Sequence, residues 1–270
     1  MLDLKLTQKR ALVTGSSSGI GEAIARALAE QGVRVVIHGR NRERTERVAD
    51  SIRADGGSAY VALADLAQPD AAHALARGTL EALGGIDILI NNAGGADDGF
   101  KPWLETDAAQ WQATFEQNIF SSVRLIRELV PPMKAAGWGR VIQIASTVAT
   151  QPMPLGPDYG AAKAAMLNST VSLAKDLGGS GITVNTVSPG PIVTPAAERI
   201  FREVARQHGW GDDWADIERN AVAHFVPNPL GRMGQPKEVA DAVLFLASPL
   251  SGFIHGSNLR IDGGYVTAIN

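Results

Sequence analysis

The sequence predicts a doubly wound α/β fold, with about seven parallel strands in one domain and helices on both faces. Short apolar, β-branched runs recur along the 270-residue chain, and longer stretches with helical periodicity separate them. Near-continuous apolar runs are typical of strands that are buried on both faces, as in a parallel sheet. This regular alternation favours a single domain over residues 1–270.

Each predicted strand is short, apolar and rich in β-branched residues. The predicted strands are residues 11–13, 33–37, 59–63, 86–90, 140–144, 182–185 and 258–261. Residues 20–31, between the first two strands, place Ile24, Leu28 and several alanines at helical spacing. Gly32 follows as a typical helix C-cap, so this interval is the first crossover helix.

Residues 195–235 break the alternation because they contain no strand pattern. Apolar residues at helical spacing begin the segment, and glycines with Trp210 and Trp214 follow. We expect a helical insertion over the carboxyl edge of the sheet, where ligands bind in this architecture. Pro236 then begins the next helix, since proline suits the first helical position.

The composition excludes several classes of function. A formal net charge of -3 gives no reason to expect nucleic acid or an anionic membrane as partner. No apolar run approaches the ~18 residues of a membrane span, and residues 1–10 lack the apolar core of a secretory signal. The chain has no cysteine, and His208, His224 and His255 lack ligand-like spacing. We therefore expect a cytoplasmic protein without disulfides or a metal centre.

A glycine-rich turn follows the first predicted strand and opens the first predicted helix. Its residues are Gly15, Ser16, Ser17, Ser18, Gly19, Ile20 and Gly21. Glycines allow a tight turn and close approach to a pyrophosphate, while free N–H groups at the helix start face the phosphates. A plain strand–turn–helix with serine caps is the alternative. The flanking strand and helix favour a Rossmann-type dinucleotide site.

The residues after the second strand predict which nicotinamide cofactor binds. Gly39 offers no carboxylate to repel a 2′-phosphate, and Arg40 offers a permanent charge and a fork of donors, with Arg42 close behind. We therefore expect NADP(H) rather than NAD(H), although Arg40 can also be read as a solvated loop residue. Asp65 and Leu66, after the third strand, are candidates to contact the adenine; an Asp at this position can instead cap a helix.

Tyr159 and Lys163 lie four residues apart in a helical pattern, so both side chains share one helix face. A tyrosine pKa near 10 is too high for efficient acid–base catalysis, and we expect the neighbouring ammonium to lower it. Ser146 ends the fifth strand and can hold a substrate oxygen, and Asn118 can hold a water that connects Lys163 to solvent. A Tyr–Lys pair alone is usually a surface pair; the serine and the glycine turn favour catalysis.

These motifs together resemble the short-chain dehydrogenase/reductase family over almost the whole chain. The glycine turn, the catalytic residues and the final strand with its glycines match the family's pattern in order. The family's N-N-A-G segment corresponds to residues 91–94, and its P-G segment begins at Pro189. The resemblance implies cofactor contacts from Asn92, Ala93, Gly94, Pro189, Gly190, Ile192 and Thr194. Tyr159 and Lys163 are expected to contact the cofactor as well, since Lys163 can bind the nicotinamide ribose.

The resemblance also implies an activity and an assembly. The expected reaction is hydride transfer between the nicotinamide and a small-molecule carbonyl or secondary alcohol, of ketone or 3-oxoacyl type, with Tyr159 as general acid/base. Relatives generally form dimers or tetramers by pairing the helix that bears the catalytic tyrosine. Ala161, Ala164, Ala165 and Ser169 allow such close helix contact, which favours a homo-oligomer and, by resemblance, a homotetramer.

Substrate choice is expected to depend on residues 95–103, 147–158 and 195–235. The second segment is rich in Pro, Met and Leu, and the insertion adds Phe201, Trp210, Trp214 and Phe225. An apolar pocket with one polar oxygen site is therefore plausible, although at least half of these aromatics are expected to pack the insertion onto the domain. Ketones, 3-oxoacyl groups and sugars or polyols all remain open as substrates.

A non-redox protein on the same fold is the alternative from another class. Such a protein would be a cofactor-sensing regulator or a lyase or dehalogenase that works without nicotinamide. Relatives of that kind commonly lose the glycine turn or replace the tyrosine or lysine. Here all of these residues are present, which favours the oxidoreductase.

Overall fold

The computed structural model describes residues 3–96 and 99–268 of the chain. Seven strands form one parallel sheet in the order β3-β2-β1-β4-β5-β6-β7, which confirms the predicted fold class. The strands are β1 (Arg10–Val13), β2 (Arg34–Gly39), β3 (Ser58–Leu63), β4 (Ile88–Asn91), β5 (Gly139–Ile144), β6 (Ile182–Pro189) and β7 (Asn258–Ile261).

Helices cover both faces of the sheet. They are α1 (Gly19–Glu30), α2 (Arg42–Ala54), α3 (Ala71–Leu83), α4 (Ala108–Phe115), α5 (Ser121–Ala136), α6 (Pro157–Asp176), α7 (Pro195–His208), α8 (Trp214–His224) and α9 (Pro236–Ala247). A π-helical turn, Glu116–Phe120, joins α4 to α5. Within the described ranges, no helix is both long and apolar enough to cross a bilayer.

The core consists of two apolar layers that lie on opposite faces of the sheet. Val13 belongs to the layer that packs against α1, α2 and α9, whereas its neighbour Leu12 faces α3 and α5. This alternation follows from the two-residue period of a strand. Because both faces are covered, the strands carry apolar residues at consecutive positions, and this is the signal that the sequence shows.

Strand β6 extends four residues beyond its predicted end at Asn185. The last residues of this strand include polar side chains. The apolar pattern in the sequence therefore predicted a strand that is too short. Thr186 Oγ1 lies 2.9 Å from the Thr170 hydroxyl of α6, and Ser188 Oγ donates to Asn258 Oδ1 of β7 at 2.7 Å. Buried polar groups are tolerated here because each finds a partner.

The predicted insertion folds as α7 and α8, and Pro236 begins α9 as expected. Trp210 packs against His208, His224 and Phe225, with ring centroids between 5.3 and 6.0 Å apart. Phe201 and Trp214 join a small apolar cluster within the same segment. Most aromatic residues of the insertion therefore pack within the insertion itself.

The strand order reverses between β1 and β4, the two central strands that continue to opposite edges of the sheet. Crossover connections on the two sides leave in opposite directions there, so a crevice opens at the carboxyl ends of these strands. The glycine turn after β1 and the segment after β4 both border this crevice.

Candidate active site

The turn between β1 and α1 owes its shape to two glycines. Gly15 has a φ of +63° and Gly19 a φ of +60°, a region that L side chains rarely adopt. Helix α1 begins at Gly19, one residue before its predicted start, with Ser18 as N-cap. The first amides of a helix have no intrahelical partner, so the start of α1 presents donors suited to phosphates.

Thr14 joins this turn to the residues after β4. Its hydroxyl donates to the Ile90 carbonyl at 3.2 Å and accepts from the N–H groups of Asn92 and Ala93, both at 2.9 Å. In return, the Asn92 amide donates to the carbonyls of Thr14 and Gly15. Asn92, Ala93 and Gly94 consequently line the crevice.

The three serines of the turn differ in their surroundings. Ser17 and Ser18 line the crevice. Ser16 is fully buried: its hydroxyl donates to the Val13 carbonyl at 2.7 Å and accepts from the His38 N–H at 2.9 Å. The side chain of Ser16 therefore braces the turn from behind.

The far end of the crevice lies beside the end of β2. It is bordered by His38, Gly39, Arg40, Asn41, Arg44, Asp65 and Leu66. Asp65 Oδ1 also accepts from the Ala67 N–H at 3.2 Å, so the carboxylate stabilises its own turn; Asp70, and not Asp65, is the N-cap of α3. Asn41 and Arg44 were missed in the sequence because their place on the first turn of α2 gave no motif.

Arg42 does not share this surface with Arg40. It pairs with Glu46 on the exposed side of α2, 2.9 Å between Nη1 and Oε1, and borders a separate groove. Arg42, although close to Arg40 in the sequence, therefore does not border the crevice with it. Successive residues of a helix point about 100° apart, so Arg44 faces the crevice and Arg42 faces away.

Gly39 is required by packing as well as by charge. A Cβ at this position would lie 2.6 Å from Thr45 Oγ1 and 2.8 Å from the side chain of Ser17. An acidic residue at 39 would therefore have to displace the turn or α2 before it could reach a ribose.

The segment after β6 closes the other side of the turn. Gly190 N–H donates to the Ile261 carbonyl, and Ile192 is buried. Thr194 caps α7 by accepting from the Ala197 N–H, and its methyl side lies 3.6 Å from where a Cβ on Gly19 would stand. The structure thus brings the segment that starts at Pro189 to the start of α1.

Ser146, Tyr159 and Lys163 lie close together near Gly94, where a Cβ would stand 3.3 Å from Lys163 Nζ. Ser146 hydrogen-bonds Tyr159, and its Oγ accepts from the Val148 N–H at 3.3 Å. The hydroxyl proton of Ser146 therefore remains available to donate. Lys163 is buried; its Nζ donates to the Ile144 carbonyl at 3.0 Å and lies 5.6 Å from the ring centroid of Tyr159.

Burial dominates the electrostatics of this pair. It raises the pKa of Tyr159 to about 12, although the hydrogen bond from Ser146 acts in the opposite direction. Burial also lowers the pKa of Lys163 to about 8. The expectation of a phenol made more acidic by its lysine neighbour is therefore wrong for the chain by itself. Desolvation disfavours each charged form, and this cost exceeds the attraction between ammonium and phenolate.

Asn118 lies on the π-helical turn, and both hydrogens of its amide are engaged. Nδ2 donates to the carbonyls of Gly95 and Thr114 at 2.8 and 2.9 Å, and Oδ1 accepts from the Gly95 N–H at 3.0 Å. The side chain therefore holds the loop after β4 against α4. A π turn often marks a functional site.

Two further contacts near Tyr159 carried no signal in the sequence. The Phe100 ring meets the Tyr159 ring edge-on, with centroids 5.5 Å apart. Gln151 Oε1 accepts from the N–H of Thr267, which ties residues 147–158 to the end of the chain. Asp97 and Asp98, within the first predicted substrate segment, lie outside the described residues.

Within residues 3–96 and 99–268, no group of three or more His, Asp or Glu residues is arranged to hold a metal ion. His208 and His224 instead pack against Trp210, and His255 bonds backbone atoms.

Known proteins resemble this chain over nearly its whole length. The family model described as enoyl-(acyl carrier protein) reductase matches residues 15–266. The 7α-hydroxysteroid dehydrogenase of Escherichia coli is 33% identical over 268 residues, with 99% of this chain and 98% of the relative covered. The 3-oxoacyl-[acyl-carrier-protein] reductase of Vibrio cholerae is 34% identical over 261 residues, with 97% and 98% covered.

Solved structures extend the comparison. The L-sorbose reductase of Gluconobacter frateurii, in complex with NADPH and L-sorbose, matches with a TM-score of 0.93 at 33% identity, covering 99% of this chain and 100% of that one. A 7α-hydroxysteroid dehydrogenase with NADH and 7-oxo glycochenodeoxycholic acid matches with a TM-score of 0.87 at 33% identity, covering 99% and 98%.

We predict that Gly21→Ala weakens the fold at the turn. A Cβ on Gly21 would lie 2.4 Å from the Gly15 carbonyl oxygen and 2.5 Å from Asn92 Nδ2. Overpacking of this kind costs about 1–3 kcal/mol, to be measured by denaturant unfolding. Gly78→Ala in α3 is the matched control: its Cβ meets nothing within 4 Å, and we expect a gain of up to about 1 kcal/mol. Equal stability of the two variants would contradict the prediction.

Proposed function

The chain belongs to the short-chain dehydrogenase/reductase family and is a dehydrogenase/reductase of CH–OH groups; on that premise we propose an NADP(H)-dependent oxidoreductase of a small-molecule ketone or secondary alcohol. The convergence of Ser146, Tyr159 and Lys163 beside a glycine-bordered crevice carries this proposal. These residues can hold a carbonyl oxygen and exchange a proton with it.

The crevice suits a dinucleotide. A Cβ on Gly15 would lie 2.9 Å from the Ala93 Cα, and one on Gly94 would lie 2.5 Å from Asn118 Oδ1 and 3.3 Å from Lys163 Nζ. Glycine at both positions therefore allows the segments after β1 and β4 to pack closely around the crevice. We assign the phosphates to residues 15–21 with Thr194. The adenosine end is assigned to Arg40, Asp65 and Leu66, and the nicotinamide end to residues 92–94 and 189–192.

A preference for NADP(H) over NAD(H) follows from the charge at the end of β2. Arg40 and Arg44 border the crevice there, and a guanidinium pairs well with a phosphate. Gly39 has no room for a side chain, so a carboxylate that would favour NAD has no place at that position. The L-sorbose reductase bound to NADPH supports the same direction.

When bound, the nicotinamide supplies or accepts the hydride. In reduction, Tyr159 gives its proton to the substrate oxygen while Ser146 donates a hydrogen bond to that oxygen. With a pKa raised to about 12, Tyr159 is protonated at neutral pH and ready to act as an acid. Donors already aimed at the oxygen stabilise the charge that develops on it.

Lys163 assists this proton exchange, since its Nζ lies 5.6 Å from the centroid of the Tyr159 ring. With a pKa near 8, Lys163 is charged at neutral pH yet can release a proton with little cost. We propose that it also holds the nicotinamide ribose and that a water connects it to solvent near Asn118. Both amide hydrogens of Asn118 are engaged with Gly95 and Thr114, whereas Oδ1 accepts from the Gly95 N–H and has a second lone pair that can accept from that water.

The pocket walls indicate an apolar substrate with one polar oxygen, of ketone or 3-oxoacyl type. Phe100 stands edge-on to Tyr159, and Leu155 is exposed nearby on a segment paired with Pro102. The insertion adds less apolar surface than its composition suggests, since Trp210 packs within it. Steroid, acyl and sugar reductases are all found among the relatives.

We also propose a cytoplasmic homo-oligomer, either a dimer or a tetramer. Ala161, Ala164 and Ala165 are only half buried on α6, and Phe120 and Val123 are exposed beside the start of α5. Small and apolar residues on adjacent helices allow two copies to pack closely.

Replacing Tyr159 with Phe should abolish turnover and spare cofactor binding. Loss of a general acid lowers kcat by about 10²- to 10⁴-fold, measured as NADPH oxidation with a panel of carbonyls. The NADPH dissociation constant, followed by protein fluorescence, should stay near that of the wild type. Near-native turnover would overturn the role of Tyr159; a wild-type chain without saturable quenching would favour the non-redox alternative.

The rate of carbonyl reduction should fall as pH rises through about 8, because Lys163 then loses its charge. The measurement is kcat/KM for NADPH between pH 6 and 10. In Lys163→Arg the charge persists to higher pH, so any remaining activity should show no decline near 8. A wild-type profile that is flat across this range would contradict the assignment.

The cofactor preference should reverse in Arg40→Asp. Loss of a charged hydrogen bond to the 2′-phosphate, with repulsion added, should lower the ratio of kcat/KM for NADPH over NADH by about tenfold or more. Arg42→Asp is the control, since Arg42 pairs with Glu46 away from the crevice. If both variants change the ratio equally, the effect is one of general charge and the specific role of Arg40 is wrong.

A further inference from the structure

His38 is a buried ring at the end of β2, and both of its nitrogens bond the backbone of the crevice. The residue is 3% exposed. Nδ1 accepts from the Gly15 N–H at 3.1 Å, and Nε2 lies 3.2 Å from the Ala64 carbonyl oxygen. The ring therefore spans the gap between the phosphate turn and the loop that leads to Asp65.

These partners determine the protonation state of the ring. A carbonyl oxygen only accepts, so Nε2 must carry a hydrogen; a backbone N–H only donates, so Nδ1 must be bare. The neutral ring with hydrogen on Nε2 satisfies both contacts. A protonated ring would direct an N–H of Nδ1 at the N–H of Gly15, and the two donors would repel.

The main chain of His38 reinforces the same link. Its N–H donates to Ser16 Oγ at 2.9 Å, and its carbonyl accepts from the Ser16 N–H at 2.8 Å. Three separate segments thus meet at one residue: the turn after β1, the end of β2 and the loop after β3. Gly15, Arg40 and Asp65, which border the adenosine end of the crevice, belong one to each segment.

We propose that His38 is a positioning residue for the cofactor, whose neutral ring sets the distance between the phosphate turn and the adenine-side loop. The inference rests on the proposed function, because it concerns the adenosine end of the same site. His38 touches neither substrate nor reacting atoms, so its effect falls on cofactor affinity and leaves the chemical step intact.

The charged groups near His38 are consistent with this role. Burial lowers the pKa of His38 to about 4, with opposite smaller effects from Asp65, which raises it, and Arg40, which lowers it. Arg44 of α2 borders the same end of the crevice, and the turn after β1 contributes no titratable group. The ring consequently stays neutral near neutral pH, where the two backbone bonds need it.

Three substitutions separate the two ring contacts. His38→Leu places an apolar side chain at this position and removes both ring contacts. His38→Asn places an amide near the position of Nδ1 and can accept from Gly15, whereas His38→Gln can reach towards Ala64 with a donor. His255 provides the control, because its Nδ1 accepts from the Val184 N–H at 3.1 Å and its Nε2 lies 2.6 Å from the Ala174 carbonyl oxygen, outside the crevice.

The experiment compares dissociation constants for NADPH and for 2′,5′-ADP, an adenosine-half probe, together with thermal midpoints. His38→Leu should weaken both ligands by about tenfold, since a buried backbone donor and acceptor lose their partners. His38→Asn and His38→Gln should lie between Leu and wild type. With any carbonyl that is turned over, KM for NADPH should rise while kcat stays within about twofold, as expected of lost ground-state binding.

His255→Leu should lower the thermal midpoint but leave both dissociation constants unchanged. Binding in His38→Leu within about threefold of wild type would overturn the inference, as would equal weakening in His255→Leu. If His38→Leu does not fold, the Asn and Gln variants decide by the same threefold limit. A wild-type chain that binds neither ligand would instead refute the proposed function, so the two failures are distinguishable.

Discussion

The bonds between Thr14 and Asn92 are the constraint on which the site depends. β1 and β4 end side by side at the switch point, and the peptide groups beyond their ends need other partners. The Thr14 hydroxyl accepts hydrogen bonds from the N–H groups of Asn92 and Ala93, and the Asn92 side-chain amide donates to the carbonyls of Thr14 and Gly15. This group of hydrogen bonds therefore stabilises both walls of the crevice and supports the glycine turn.

Desolvation then shapes the chemistry on this scaffold. Lys163 is buried and Tyr159 is partly buried, and the pKa of each moves towards its neutral form. The raised pKa favours the protonated form of Tyr159, which can donate its proton. The lowered pKa allows Lys163 to release a proton near neutral pH. Thr114 anchors the arrangement: its hydroxyl donates to the buried Asp158 at 2.5 Å, and its carbonyl accepts from Asn118. The start of the catalytic helix is thus tied to the π turn.

Much of the fold could be read from local patterns, because a parallel sheet needs apolar residues on both faces of each strand. All seven strands lie where apolar runs occur, and glycine and proline marked the limits of α1 and α9. The end of β6 escaped because Thr186 and Ser188 are polar yet buried. Their partners, Thr170 and Asn258, are 16 and 70 residues away, so no local pattern could reveal them.

The sequence by itself determined the sheet, the glycine turn and the identity of the residues with acid–base and phosphate chemistry, since each depends on neighbours within a few positions. Only the tertiary structure decided the direction of the Tyr159 pKa, the separation of Arg42 from Arg40 and the place of His38 between Gly15 and Ala64. Those properties depend on solvent exclusion and on which backbone groups meet across the sheet. Contacts between residues that are distant in the chain determine both the exclusion of solvent and the pairing of backbone groups. A local sequence pattern therefore predicts neither.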